Sequence, residues 1–408
     1  MGSSLTLRGR LVLALGAALV LAGVLLGVPD LTRVGVLLLG LALIARLLVA
    51  RPLSLALERQ VSPATVAPGE GASVTLDLHN VGRSTTAMLQ AEEEVGHALG
   101  DRPRMLVPRI AAAEHRRVTY PIRSELRGRH QLGPLTVRAS DAFGLAVRSG
   151  RLSGSSAVTV LPRTVRLTSM PRSRPGAGGE TPATAQLSLH GESDVGVREY
   201  RQGDDLRRIH WPSTARTGAM MVRQDDQPSR TRALVLLDNR AAVHTGSAAG
   251  DSFEWAVSAA ASIAVHLLAE EVETYLATSD PAHLALAPLP SIEETLEALA
   301  VVQQCSAATA DSLTESAAEL GSYGGASTIA VVGPLSEVEG RALTAAGRGL
   351  ALVIDPTVLG TGDGRSSPTT HLLIGGGWRA LDVHLGDRVE DLWAELVGDP
   401  VPAVGGTR

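Results

Sequence analysis

Two apolar runs near the start of the chain constrain its fold more than any other feature. Residues 11–28 contain no charged or strongly polar side chain, and a helix of that length rises roughly 27 Å, close to the thickness of a bilayer's hydrocarbon core. After a break at Pro29 a second run follows, with Arg46 near its far end, where a long side chain can reach the interface. The pattern predicts a two-helix transmembrane hairpin in residues 1–52, with spans at about 11–28 and 31–49.

The charges that flank the hairpin predict its orientation. Arg8 and Arg10 precede the first span, Arg51 and Arg59 follow the second, and the connecting turn holds one acid and one base. The positive-inside rule therefore places both ends in the cytoplasm. We expect a multi-pass protein of the plasma membrane whose large C-terminal region is cytoplasmic, and the lone Cys305 agrees with a reducing compartment. A cleaved secretory signal peptide and a pair of buried core helices are the alternatives.

From residue 53 onward the hydrophobic pattern changes from helical to alternating. Short runs such as Val74-Thr-Leu76-Asp-Leu78 are separated by turns rich in proline and glycine, a pattern typical of small β-sandwiches. This predicts a β-sandwich-like domain over residues 53–163, whose simplest role is that of a spacer. Residues 164–197, rich in Pro, Gly, Ser and Thr, are predicted to form a linker.

The C-terminal half alternates between apolar strands and amphipathic helices. The run from Arg232 to Leu237 ends in Asp238, as expected of a buried parallel strand whose carboxyl end reaches a crevice. Ser252–Val272 is predicted to be an amphipathic helix. Further strands are predicted at 273–277, 328–332, 350–354 and 378–385, and further helices at 292–304, 311–320, 336–347 and 391–397. The alternation predicts a Rossmann-type parallel sheet covered by helices within residues 198–408.

Composition excludes several classes of function. The chain contains no lysine, so a Walker A lysine, a Schiff-base lysine and a kinase lysine are all absent. A formal net charge of −5 gives no reason to expect nucleic-acid binding. The single cysteine rules out an intramolecular disulfide and a cysteine-built metal site. No cofactor is expected.

The densest signal in the chain is a motif of arginines, acids and aromatic residues. It is written Arg198-x-Tyr200-x-x-Gly203-Asp204-Asp205-x-Arg207-x-Ile209-x-Trp211, with Ala215-Arg216 and a strand ending in Asp238 after it. This pattern resembles the bacterial domain-of-unknown-function family 58. The segments Leu132-Gly-Pro-Leu135 and Asp141-x-Phe-Gly-Leu145 in the β domain agree with the same family.

The resemblance implies an architecture and a role. Family members have two membrane helices, a β domain and a von Willebrand factor A-like α/β domain. They are typically encoded near MoxR-type AAA+ ATPases and membrane transglutaminase-like proteins. The resemblance therefore implies a membrane-anchored, non-enzymatic adaptor or scaffold that partners such an ATPase in an envelope-related or assembly process.

Within the motif, some residues suit a partner surface and others suit local structure. The residues expected to bind a partner are Tyr200, Arg207, Arg208, Trp211 and Arg216. The expected structural positions are Gly203, Asp204, Asp205 and Ile209, because an acid after glycine suits the start of a short helix. Pro212 is predicted to end that helix. The arginines could equally pair with the nearby acids.

A metal site is the alternative suggested by the von Willebrand comparison. In that fold the ion is held by an Asp-x-Ser-x-Ser run after the first strand. Here the corresponding positions are Asp238, Arg240 and Ala242, so both hydroxyl ligands are missing and a cation stands where the metal would be. We expect Asp238 to pair with an arginine or to cap a helix. Divalent-metal-dependent ligand binding is the alternative function.

A hydrolase is the third class considered. The sequence contains no Gly-x-Ser-x-Gly elbow and no His-Glu-x-x-His motif. A catalytic triad assembled from distant residues would leave no such local motif.

Overall fold

The computed structural model describes most of the chain as two compact units, Met1–Leu161 and Pro162–Arg408. The described residues are 2–50, 53–168, 196–200, 209–224, 232–246, 252–279, 287–305, 313, 327–356 and 366–398. Each unit has its own hydrophobic core.

The first unit begins with the predicted helical hairpin. Helix α1 covers Leu7–Leu26 and helix α2 covers Pro29–Val49, and both are long and apolar enough to cross a membrane. Their contact is made at small residues, which are buried while most of the leucines are exposed: Gly16 and Gly23 on α1, and Gly35 on α2. Because these residues carry little or no side chain, the two backbones approach closely.

The rest of the first unit is a β-sandwich. One sheet contains β2 (Leu55–Ser62), β4 (Gly71–Asn80) and β7 (His115–Arg123). The other contains β1 (Gly2–Leu5), β3 (Thr65–Val66), β5 (Leu89–Val95), β6 (Arg104–Val107), β8 (Gly128–Ser140), β9 (Ala146–Leu152) and β10 (Ser156–Val160). Alternate residues of β4 are buried and share one core with residues of β5 and β8, as the alternating pattern predicted.

The hairpin is joined to the sandwich through a tight turn between β8 and β9. In this turn Asp141 accepts hydrogen bonds from the backbone N–H groups of Phe143 and Ala146, at 2.9 and 2.6 Å. The carbonyl of Leu145 accepts from the N–H of Thr6, and the Thr6 hydroxyl donates to the carbonyl of Gly144. Strand β1, which the sequence did not predict, pairs antiparallel with β9 just before α1 begins.

A buried ion pair links the two sheets of the sandwich. Arg59 Nη2 lies 2.6 Å from Glu93 Oε1, and both side chains are almost fully buried. Burial raises the pKa of Glu93 above its usual value, although the charge of Arg59 acts in the opposite direction. Arg59 therefore joins the two sheets from within, in addition to its place among the positive charges that flank the hairpin.

The second unit contains a five-stranded parallel sheet. Its strands are β13 (Arg232–Leu237), β14 (Glu273–Thr278), β15 (Ser327–Val332), β16 (Gly349–Val353) and β17 (Arg379–Asp382), in the spatial order β14-β13-β15-β16-β17. The helices are α4 (Ser252–Ala269), α5 (Ile292–Val301), α6 (Glu337–Ala345), α7 (Pro368–Gly375) and α8 (Val389–Val397). Residues of α4 and α8 share a core on one face of the sheet, and residues of α6 and α7 share a core on the other.

Most elements of this unit match the predicted ones, with a few differences. Helix α7 was not predicted, because its run of eight residues is short and includes two β-branched threonines after Pro368. The predicted helix at 311–320 lies outside the described residues, except for residue 313. Helix α4 also meets the length and hydropathy criteria for a membrane span, but most of it is buried in the core of this unit.

The start of the predicted linker packs against the second unit. Val165 and Leu167 contact its core, and the N–H of Val165 donates to the hydroxyl of Ser262 on α4 at 3.0 Å. The indole N–H of Trp393 on α8 donates to the carbonyl of Thr168. Residues 169–195 lie outside the described part of the chain.

We predict that the hairpin is sensitive to a single methyl group at Gly35. A Cβ atom there would lie 2.7 Å from the carbonyl oxygen of Gly16, which is too close for the helices to keep their spacing. Gly35→Ala should therefore destabilise the full chain in detergent by about 1–3 kcal/mol, as expected for overpacking. The measurement is unfolding in increasing SDS, followed by circular dichroism.

Gly40→Ala is the matched control for this prediction. Gly40 lies on the same helix, and an added Cβ would have no neighbour within 4 Å. Because alanine is the better helix former, this variant should be as stable as the original chain or slightly more stable. Equal stability of the two variants would contradict glycine-mediated packing of the hairpin.

Candidate functional site

The carboxyl ends of the parallel strands form the main candidate site. The chain passes from β13 to β14 on one side and then returns to β15 on the other, so the strand order reverses next to β13. In open α/β sheets ligands bind in the crevice at such a switch point. Asp238 follows β13, Ser279 follows β14, and Gly333 follows β15, so all three meet at this crevice.

Asp238 is fully buried at the centre of the crevice and forms an ion pair with Arg240. The sequence predicted an arginine partner for Asp238 without identifying which one. The guanidinium makes two parallel contacts, from Nε to Oδ1 at 2.9 Å and from Nη2 to Oδ2 at 2.7 Å. The hydroxyl of Ser279 donates to Oδ1 at 2.8 Å, and the N–H of Gly333 donates to Oδ2 at 3.2 Å. Both carboxylate oxygens are therefore engaged by groups of the protein itself.

The second partner of Arg240 is Glu339, in the first turn of α6. Arg240 Nη1 donates to Glu339 Oε1, and both side chains are buried. The other oxygen of Glu339 accepts from the backbone N–H of Ser336, while the Ser336 hydroxyl accepts from the N–H of Glu339. This reciprocal capping box places Glu339 at the start of the helix. Arg240 thus bridges the end of β13 and the start of α6.

The ionisation of the pair follows from its surroundings. Burial alone would raise the pKa of Asp238, but the hydrogen bonds and charge of Arg240 outweigh burial, so the pKa lies below its usual value. Burial would likewise lower the pKa of Arg240, but Asp238 and Glu339 outweigh it and the pKa is raised. Asp238 and Arg240 are therefore both charged near neutral pH.

These residues do not fit a divalent cation. Ala242 lies in a short 3-10 helix, Ala241–Val243, and offers no hydroxyl oxygen. The guanidinium of Arg240 occupies the space in front of Asp238, and no oxygen of that carboxylate is left for a metal. Within the described ranges, no group of three or more His, Cys, Asp and Glu side chains is arranged to hold a metal ion.

The described residues of the motif lie in a strand pair and a short helix. Strand β11 (Gly196–Glu199) pairs antiparallel with β12 (Met221–Gln224), and the N–H of Tyr200 donates to the carbonyl of Met220 at 2.8 Å. Ile209 forms an isolated bridge with Val222. The predicted residues Gly203, Asp204, Asp205, Arg207 and Arg208 lie outside the described residues.

The prediction that Pro212 ends a helix is wrong, because this proline lies in the first turn of one. Helix α3 covers Trp211–Thr217, and His210 caps it by accepting from the N–H of Ser213 through Nδ1. Proline is tolerated there because a first-turn N–H has no partner within the helix.

Two of the predicted partner residues are exposed on α3. The side chain of Trp211 is 67% exposed, which is unusual for a large aromatic residue. Arg216 is also exposed, and it makes no hydrogen bond or ion pair with any other residue that the structure describes. Tyr200 is half-buried beside the strand pair. Tryptophan and arginine are the residue types most enriched among those that dominate binding energy at protein interfaces.

Comparison with known families decides what this region is. Residues 196–322 match the family described as "Protein of unknown function DUF58". The chain carries a DUF58 domain. The matched segment begins at β11 and contains α3, Asp238, Arg240 and α5. The exposed tryptophan and the buried ion pair therefore both lie within the DUF58 domain.

One curated relative is similar to part of the chain. It is the "Uncharacterized protein YeaD" of Bacillus subtilis strain 168, which is 27% identical over 146 residues. The match covers 36% of this chain and 35% of the relative. The chain therefore aligns with about a third of the length of that protein.

Two solved structures show weak similarity. The CARDB domain of a Pyrococcus furiosus protein, solved in complex with di-metal ions, is 14% identical, with 26% of this chain and 88% of that one covered and a TM-score of 0.20. Alpha-2-macroglobulin from Escherichia coli, from domain MG7 to the C-terminus, is 18% identical, with coverage of 28% and 18% and a TM-score of 0.22. Both TM-scores are too low to bear on the fold or function of this chain.

Sequence reasoning did not identify Glu339 and Ser279 as partners of the central pair. The spacing Ser336-x-x-Glu339 is a recognisable capping box, which could have marked the start of α6. That local pattern does not show that Oε1 of Glu339 accepts from Arg240. The two residues are far apart in the sequence, with strands β14 and β15 between them.

We predict that removing Arg240 destabilises the second unit by about 3–5 kcal/mol at pH 7, since Arg240→Ala leaves buried charge without its partner. In the original chain the pKa of Asp238 is depressed, so its contribution to stability is present above the usual carboxyl pKa of about 3.9 and is lost as pH falls through the lower folded value. In the variant, burial without Arg240 raises the pKa of Asp238. The destabilisation should therefore be largest at pH 7 and shrink toward pH 4.

The measurement is urea unfolding at both pH values, followed by tryptophan fluorescence. Arg341→Ala is the control, because Arg341 forms an exposed pair with Glu337 on α6. That pair should contribute no more than about 1 kcal/mol at either pH. If Arg240→Ala lowers the free energy of unfolding no more than the control does, the buried pair does not stabilise the second unit.

Proposed function

We propose that the chain is a membrane-anchored, non-enzymatic adaptor whose DUF58 domain binds a protein partner, with a MoxR-type AAA+ ATPase as the leading candidate. The observation that carries the proposal is the exposed side chain of Trp211 on α3. Aromatic residues make up only 2% of this sequence, and tryptophan is among the residue types most enriched where binding energy at interfaces is concentrated. Arg216 on the same helix adds a charge that is free to pair with an acidic residue of the partner.

Anchoring is supported by the geometry of the first unit. Strand β1 precedes α1 and pairs with β9 of the sandwich, so both ends of the hairpin lie on the side of the membrane that holds the sandwich. The exposed Arg8 and Arg10 at the start of α1 favour the cytoplasm for that side. The adaptor would then face the compartment in which AAA+ ATPases act. A membrane transglutaminase-like protein is a further candidate partner from the family's gene neighbourhoods.

We further propose that the α/β region is a von Willebrand factor A-like domain whose metal position has been replaced by an internal ion pair. Its parallel sheet and the position of Asp238 after the first strand support this relationship. The bidentate contact of Arg240 with Asp238 argues against the divalent-metal alternative, because a cation of the protein already neutralises the carboxylate. Binding through an exposed surface needs no metal.

A hydrolytic role has weaker support. His244 Nδ1 lies 3.3 Å from the hydroxyl of Ser252, which is the contact expected of a nucleophile and its base. The hydroxyl of Ser252 is buried, however, and also bonds to the backbone N–H and carbonyl of Thr245. The other ring nitrogen of His244 meets the backbone carbonyl of Asp238 instead of a carboxylate. The arrangement ties the loop at Thr245 to the first residue of α4 and does not present a nucleophile.

We predict that a MoxR-type ATPase from the native organism copurifies with the full chain from detergent-solubilised membranes. Trp211→Ala combined with Arg216→Ala should reduce the captured ATPase at least tenfold, because residues of these types each contribute 1 kcal/mol or more at interfaces. Quantitative mass spectrometry of the captured material is the measurement. Both side chains are exposed, so the variant should fold normally.

The matched control is Leu385→Ala combined with Arg341→Ala. It also removes one exposed apolar side chain and one exposed arginine from the second unit, but outside the family-matched segment. This control should capture as much ATPase as the original chain. Unchanged capture by the Trp211 variant would remove α3 from the interface, and absence of the ATPase from every sample would overturn the proposed partner.

We predict that both ends of the hairpin are cytoplasmic. Reporter fusions after residue 59 and at the C-terminus should be active with a cytoplasmic reporter, such as a fluorescent protein that does not mature after Sec export, and inactive with alkaline phosphatase. Phosphatase activity at either position would place the DUF58 domain outside the cytoplasm and exclude an ATPase partner.

A further inference from the structure

A cavity of about 740 Å³ lies inside the first unit, at the base of the membrane hairpin. Its wall is formed by the last turn of α2, the loop that follows β4, and the turn that follows β8. Because the last turn of α2 marks the end of the membrane span, the cavity lies at the level where lipid headgroups would be found.

The cavity is lined by an excess of positive charge. Three arginines contribute to its wall, Arg83, Arg109 and Arg148, against a single acid, Asp141. Both oxygens of Asp141 already accept backbone hydrogen bonds in the turn before β9. Arg83 and Arg109 are exposed and make no hydrogen bond or ion pair with any described residue. Their guanidinium groups are therefore free to bind an anion.

Arg148 ties the basic wall to the membrane helix. Its Nη1 donates to the carbonyl of Ala50, which caps α2, at 2.6 Å. Its Nε is buried and has no hydrogen-bond partner in the described structure. A buried N–H without a partner is energetically costly, and an anion in the cavity could accept from it.

The loop that carries Arg83 is held in place by a buried side chain. The amide nitrogen of Asn80 lies 2.9–3.0 Å from the carbonyl oxygens of Ser84, Ile110 and Ala111, to which its two hydrogens are donated, and the amide oxygen accepts from the N–H of Gly82. Asn80 is 1% exposed. The loop is thus ordered before any ligand binds, which lowers the entropic cost of binding.

The rim of the cavity is apolar. Leu48 and Val81 both line it and are each 56% exposed. Phe143, directly after cavity residue Ala142, is 64% exposed. Apolar side chains around a basic pocket at the end of a membrane helix match the two parts of a lipid, acyl chains beside the rim and phosphate beside the arginines.

We propose that this cavity binds the headgroup of an anionic phospholipid. A free phosphate or a soluble phosphorylated molecule would satisfy the arginines as well, but it would leave the exposed rim without a function. The proposal rests on insertion of the hairpin in a membrane and does not depend on the ATPase partner.

The test uses the purified full chain in a mild neutral detergent, without any partner protein. Phosphatidylglycerol, phosphatidylcholine or soluble glycerol phosphate is added, and bound molecules are counted by native mass spectrometry over a concentration series. We expect saturable binding of phosphatidylglycerol, and at least tenfold weaker binding of both other molecules. Arg83→Gln combined with Arg109→Gln should weaken binding of phosphatidylglycerol about tenfold or more.

The control variant is Arg129→Gln combined with Arg138→Gln. These exposed arginines belong to the same sandwich and lie outside the cavity, so the control makes the same change in net charge. It should bind phosphatidylglycerol like the original chain. An equal loss in both variants would show nonspecific attraction by the whole surface, and equal affinity for soluble glycerol phosphate would show an anion site without lipid recognition. Either outcome overturns the proposal.

Discussion

The buried contact between Asp238 and Arg240 is the interaction on which the second unit depends. Three strands end at this point, and α6 begins beside it, so the pair joins elements that are far apart in the sequence. A buried carboxylate is costly unless its charge and hydrogen bonds are fully compensated. Here the guanidinium, a serine hydroxyl and a backbone N–H complete that compensation. Both oxygens of the Asp238 carboxylate are consequently satisfied by groups of the protein itself.

The first unit also depends on contacts between segments that are far apart in the sequence. The helices of the hairpin meet at glycines, and their start is fixed to the sandwich by hydrogen bonds between Thr6 and the turn that contains Leu145. The packing of the small cluster that includes Ala45, Val49 and Leu145 adds an apolar contact at the same place. The hairpin is thereby continuous with the sandwich, and its base lines the basic cavity.

Much of this architecture could be predicted from the sequence, because apolar periodicity is a local signal. The two spans, the alternating strands of the sandwich and the apolar strand before Asp238 all follow from the spacing of neighbouring residues. Long-range partners could not be predicted in this way. The pairing of β1 with β9 and the contact of Arg240 with Glu339 depend on how distant segments meet. Pro212 shows a third limit, since a proline can begin a helix as readily as it can end one, and the cap at His210 decides which.

The position of β1 has a consequence for the biosynthesis of the chain. This strand is made before the hairpin, yet its partner strand β9 emerges from the ribosome only after most of the sandwich. The first residues must therefore remain unpaired while the two apolar helices and the intervening strands are translated. The edge of this sheet is therefore completed by the segment that is made first, and only after β9 has been translated.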